Sequence, residues 1–294
     1  MKITWKCLQY KALYFLLLLP ALSCTNVHFE HPVPKSGAEL RSIPAGWAGT
    51  YVATPQEDDG SLFGQIFREC YRLERLGETK LLVSAELRIH EKNMPLLKKA
   101  LEEEKRGGKL LDFRLSEGFV LCTIRSPQEE GQPDLIEQQY TALIKKDSWY
   151  ILANTVTPFR LFDLDAGVQT EFEHKKAEIA KVEWLPGADS ISAKTFRLVA
   201  RHLQKGYYFN TQPEDGAKWA LLYVTQPSKD NLIVKVSNLE DQNEFERRQD
   251  YFNAITPFRK TDSNKYEIDP SDEALARLLA EEHLFQTVNL ARIE

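Results

Sequence analysis

Sulfur is scarce in this chain: its 294 residues include four cysteines and two methionines. Cys7 and Cys24 fall within the first 24 residues, so beyond them only Cys70 and Cys122 remain. Two thiols cannot build the disulfide lattice that staples small exported domains; they can pair or stay buried and free. Short catalytic signatures are missing too. There is no Gly-x-Ser-x-Gly, no His-Glu-x-x-His, no Cys-x-x-Cys and no Gly-rich phosphate loop before Lys-Ser/Thr. A hydrolase using carboxylates dispersed along the sequence is the enzymatic reading that survives; the expectation is a non-enzymatic protein with no cofactor and no metal. No basic excess exists, since the formal charge is −5, so nucleic acid is not an expected partner. The apolar run over 12–24 is about 13 residues, short of the roughly 20 that a spanning helix requires.

That run is nonetheless the most informative stretch. Lys2, Lys6 and Lys11 precede it without an acid, four leucines form its centre, and Pro20-Ala-Leu-Ser-Cys24 closes it. A charged segment, an apolar segment and small residues before a cut make a secretory leader. A leader ending in cysteine resembles the lipobox of bacterial lipoproteins. The resemblance implies loss of residues 1–23, acyl chains on Cys24 and, with Thr25 rather than aspartate following, the outer membrane. Each buried methylene adds about 0.8 kcal/mol, and firm attachment takes more than one chain. Removing three lysines and no acids would take the formal charge from −5 to −8. Residues 1–52 as a whole resemble the envelope lipoproteins of the Bacteroidota. The partners this implies are the membrane, through the lipid, and an envelope protein or small-molecule ligand.

Apolar residues at 43% and charged residues at 28% describe a globular body. Residues 24–44, with Pro32, Pro34 and Pro44 and no apolar period, read as the lipidated cysteine and an extended tether, in which His28 and His31 are polar bystanders. The body opens at Gly46, and the order Trp47-Ala-Gly49-Thr-Tyr51 resembles the first strand of lipocalin-like barrels. That implies an internal cavity lined by residues such as Trp47, Tyr51, Trp149 and Tyr207. Val83, Ala85, Leu87 and Ile89 alternate with Ser84, Glu86, Arg88 and His90, which predicts a strand over 80–90 with its polar row in solvent. Asn93, Pro95 and Gly107-Gly108 bracket a helix with Leu96, Leu97, Ala100 and Leu101 on one face. Further strands are expected at 110–115, 119–124, 140–145, 149–156, 207–210, 218–224, 231–238 and 284–293. A second helix is expected to end at Gly206, capped by Ser192, with a stripe of Phe196, Val199, Ala200 and Leu203; a third follows Ser271 and turns Leu275, Leu278 and Leu279 inward.

Asn154-Thr-Val-Thr-Pro158-Phe159-Arg160-Leu-Phe-Asp163 returns 99 positions later as Asn253-Ala-Ile-Thr-Pro257-Phe258-Arg259-Lys-Thr-Asp262. The same offset lays the first expected helix on the second. The chain therefore reads as an α+β fold, mostly antiparallel β with a few helices. It falls into two related halves, 45–167 and 168–294, parted between Gly167 and Ile179. In each copy proline would edge a strand, phenylalanine pack under the turn, and arginine bond carbonyls or the following aspartate: a repeated structural corner. The functional reading is a pair of arginines gripping carboxylate or phosphate. Asp163-Leu-Asp165-Ala-Gly167 lacks the third carboxylate of a calcium loop, and His174, His202 and His283 stand alone. The expected function is a membrane-anchored binding or scaffold lipoprotein, with a lipocalin-like carrier of a small apolar ligand and an envelope hydrolase as alternatives.

Overall fold

The computed structural model describes residues 26–54, 66–108, 110–126, 135–153, 156–175, 193–216, 218–262, 265–282 and 284–294. Cys24, Asn154 and His283 lie outside them. The described chain is mostly antiparallel β. Strands β1 (Asn26–Phe29), β2 (Ala38–Glu39), β3 (Gly49–Ala53), β4 (Phe67–Arg75) and β5 (Lys80–His90) lead to helix α1 (Met94–Arg106). Next come β6 (Leu110–Leu115), β7 (Phe119–Ser126), β8 (Leu135–Lys146), β9 (Trp149–Ala153), β10 (Val156–Asp163), β11 (Val168–Lys175), β12 (Ala193–Leu203), β13 (Gly206–Pro213), β14 (Ala220–Ser228) and β15 (Asn231–Leu239). Helices α2 (Gln242–Arg247) and α3 (Gln249–Ile255), β16 (Arg259–Asp262), β17 (Lys265–Ile268), α4 (Asp272–Ala280) and β18 (Phe285–Arg292) complete the order.

Ten of these strands close into a barrel in the order β3, β4, β5, β10, β11, β12, β13, β14, β15, β18 and back to β3, every pair antiparallel. Closure removes the sheet edges that would otherwise leave backbone groups unpaired. The barrel takes strands from both stretches that the sequence divides at 167–179.

Strand β5 is forked. Its first half pairs with β10, at Lys80 to Ser84, and its last residues pair with β9, at Arg88 to His90. Beyond β9 the sheet continues as β8, β7 and β6. Leu97 and Leu101 of α1 bury against this side sheet with Leu87, Ile89, Val120, Cys122 and Leu152, a core separate from the barrel's. Gly108, at φ +79, ends α1 where an L side chain would be strained.

Helices α2, α3 and α4 cover the outside of the barrel wall with their own core, in which Phe245, Phe252, Phe258 and Tyr266 meet Val27, Phe29 and Leu278. Ser271 caps α4 through Ala274 N–H at 3.2 Å, and Leu275, Leu278 and Leu279 are buried as its stripe requires. From β15, the Lys235 ammonium donates to the Leu279 and Glu281 carbonyls at 2.8 and 3.2 Å, fastening the helix's C-terminal end to the barrel.

The structure corrects four expectations. The segment after residue 25 is no free tether. β1 runs parallel to β17, Val27, Phe29 and Val33 are buried, and Asn210 exchanges two bonds with the Val33 backbone, at 2.9 and 2.7 Å. The helix expected to end at Gly206 is strand β12. Leu198 and Ala200 face the barrel interior while Val199 and Leu203 pack against the helical layer, so a strand with two apolar faces imitated a helical stripe. Gly206 stops no helix; a Cβ there would lie 2.5 Å from the Tyr223 ring. The polar row of β5 is not simply solvated, since Arg88 is fully buried between Glu86 and Glu294, at 2.6 and 2.9 Å.

Fourth, the repeated decapeptide takes two shapes. In the first copy Pro158 to Asp163 lie inside β10; in the second, Asn253 and Pro257 flank the end of α3 and only Arg259 to Asp262 form a strand. Pro158 sits where β10 is paired on the β11 side alone, which tolerates a missing N–H. Arg160 does not pair with Asp163, which binds Lys80 instead. Arg160 binds Glu171 and Arg259 binds Glu30.

Candidate functional site

Alternation along the barrel strands sends every second side chain inward. From β5 come Leu81, Val83 and Ala85, from β4 Tyr71 and Leu73, and from β14 and β15 Leu222, Val224, Leu232 and Val234. With Trp47, Phe162, Phe209, Leu290 and Arg160 they enclose a cavity. The cavity opens to solvent on one side and has a volume of about 60 Å³. That is room for roughly four to six waters, or an organic molecule of like size.

One side is an aromatic ladder. Trp47 meets the Tyr207 ring edge-on at 4.8 Å and Phe209 at 6.0 Å, and Phe209 meets Phe162 at 5.2 Å. Two residues before Phe162 on the same face stands Arg160. Opposite it across β10 and β11 is Glu171, which takes one end of the guanidinium and also accepts a bond from Gln169 Nε2 at 3.1 Å. Apart from Arg160, the side chains that line the cavity are apolar or aromatic. Among the described residues, the buried Arg160 Nε and Trp47 Nε1 have no hydrogen-bond partner.

Of the residues expected to line a cavity, Trp47 does and Tyr207 backs it. Tyr51 is spent on structure: its hydroxyl donates to the Trp47 carbonyl at 3.1 Å and lies 2.6 Å from an Arg292 amino group. Trp149 belongs to the side sheet, against His90 at 4.9 Å. Of the repeated corner, Arg160 reaches the cavity, while Phe159 stacks on Phe172 outside the barrel at 5.5 Å and Asp163 pairs with Lys80 at 2.9 Å. Lys80 and the Ala166 N–H hold the Asp163 carboxyl below its ordinary range against an opposing effect of burial. In the second copy, Asn253 Oδ1 accepts from Phe258 N–H at 2.9 Å, Phe258 joins the helical-layer core, and Arg259 and Asp262 are exposed. The two arginines therefore do not converge on one ligand.

Cys70 and Cys122 are free and buried, and burial pushes both thiols up to about 12, which keeps them protonated and unreactive. His28 is held neutral by burial and by Lys265, and His202 lies against Tyr207 at 4.7 Å. Among the described residues no three His, Cys, Asp or Glu side chains gather as metal ligands, and no helix is long and apolar enough to cross a membrane. Comparison with protein-family models, with curated proteins and with solved structures gives no match.

Proposed function

We propose that this chain is a binding protein of the bacterial envelope, anchored through acyl chains on Cys24, that carries a small apolar ligand inside its barrel. The observation that carries the reading is the cavity itself. A closed barrel could fill its interior with side chains, yet here the space between Trp47, Leu81, Val224 and Leu232 stays open. Apolar walls with a few placed polar groups are the ordinary character of a small-molecule site. Anchoring at Cys24 rests on the lysine-flanked apolar run and its small-residue end.

Pentane tests the reading, because it matches the size of the cavity and senses an apolar cavity and nothing else. Headspace depletion by the purified protein is expected to reveal saturable uptake, about one pentane per chain. Val224→Phe, which projects a ring into the cavity, should abolish that uptake while leaving the far-UV circular dichroism unchanged. Uptake that survives in Val224→Phe, or none in the parent protein, would sink the proposal.

A further inference from the structure

The side sheet ends at β6, which pairs with β7 and with no other strand among the described residues. Alternate residues of such a strand turn their N–H and C=O groups away from the sheet, where another strand or water must meet them. Two other described strands pair with one strand alone, β2 with β12 and β16 with β17. β2 has two residues and β16 four, all exposed, and three of those in β16 are charged; short, charged edges of that kind resist further pairing. β6 is longer, and four of its six residues are apolar. Leu110 belongs to the side-sheet core and Phe113 and Leu115 pack partly against it, while Asp112 and Arg114 are exposed on the other face.

Read about Phe113, the stretch Leu111-Asp-Phe-Arg-Leu115 is complementary to itself in reverse. An antiparallel copy laid along β6 in that register sets Asp112 against Arg114 twice, Phe113 against Phe113 and Leu111 against Leu115. Moving the centre by one residue sets Asp112 against Asp112 or Arg114 against Arg114, and like charges directly opposite disfavour both of those registers. Arg114 makes no hydrogen bond or ion pair among the described residues. Asp112 holds Lys105 at 2.7 Å, yet its side chain is 70% exposed and stays open to a second cation. We propose that β6 is a self-pairing edge, through which two copies of this chain join antiparallel about Phe113 and continue the side sheet from one copy into the other. A two-fold axis through that pairing makes the contact isologous and closes the assembly at two chains. One strand pair and what flanks it form a small interface, so the dimer is of the weak, concentration-dependent kind.

Sedimentation velocity of the purified protein over a range of concentrations tests the pairing. The parent is expected to pass reversibly from one chain to two as concentration rises. Arg114→Asp turns two opposite-charge pairs into two like-charge pairs and should weaken the association about tenfold or more. Since Arg114 holds nothing in its own chain, far-UV circular dichroism should stay unchanged in that variant. Asp112→Arg should weaken the dimer similarly, and Asp112→Arg combined with Arg114→Asp, which exchanges the two charges, should recover most of the loss. A parent that remains one chain at every concentration would overturn the proposal and leave the β6 edge to water or to a strand of another protein. A dimer that Arg114→Asp leaves as tight as before, or that the exchanged pair fails to restore, lies on another surface and overturns it equally.

Discussion

Glu69 lies on the inward face of β4 beside Tyr71, half-buried as a residue but with its Oε1 closed to solvent and unpartnered among the described residues. Burial pushes its carboxyl up to about 7; the Tyr71 hydroxyl pulls weakly the other way without reaching bonding geometry. The folded chain therefore keeps this proton to a higher pH than the unfolded chain, in which a glutamate titrates near 4.5. This group's contribution to stability is fully present below about pH 4.5 and is lost as pH rises through about 7, a swing of about 3 kcal/mol. Glu69→Gln should remove that component. Urea denaturation at pH 5 and pH 8 is expected to show a smaller difference between the two pH values in the variant than in the parent. An unchanged difference would assign the titration to another group.

At the scale of elements, β1 separates what composition suggests from what packing does. Three prolines and no apolar period make residues 24–44 look extended and solvated, yet Phe29 exchanges backbone bonds with Trp219 at 2.8 and 3.0 Å and its ring is fully buried. Phe29→Ala is expected to cost about 3–5 kcal/mol in chemical denaturation, the usual range for a core phenylalanine; a loss under 1 kcal/mol would return this segment to the status of a tether. Strands that alternate, such as β5, β13 and β15, were legible because one face is wet and the other dry. β11 was not, because its inward residues Gln169 and Glu171 are polar and its apolar Phe172 points outward, an inversion that alternation alone cannot read. β4 hid behind its arginines and glutamates, and β12 behind apolar residues on both faces. In the site, Trp47 was legible through the Trp-x-Gly-x-Tyr order. Arg160 drew notice only as part of a repeat. Leu222, Val224 and Val234 carry no sign of their role, since a wall residue and a packing residue are chemically the same until the space beside them is known to be empty.

The described residues form one barrel with two additions, the side sheet that leaves it along β5 and the helical layer that β1 helps to close. The cores of the barrel, the side sheet and the helical layer meet at shared strands, so the body is expected to unfold as a unit rather than as two halves of 45–167 and 168–294. The anchoring proposal is tested at this scale by intact mass of membrane-extracted protein beside Cys24→Ser. Cleavage before Cys24 with added acyl mass in the parent, and a shift of the variant to another processed form, is the expected result; an unmodified soluble parent would end the lipoprotein reading.

The docking of β1 bears on how such a protein would stand at a bilayer. Asn26 is already paired to Lys265 and Asn238, and two residues of chain reach about 7 Å at most. An acylated Cys24 would therefore leave almost no slack between the lipid and the folded body. The protein would be held at the membrane in a narrow set of orientations, with the Asn26 end of β1 and the adjoining end of β17 turned toward the headgroups, instead of tumbling at the end of a flexible line.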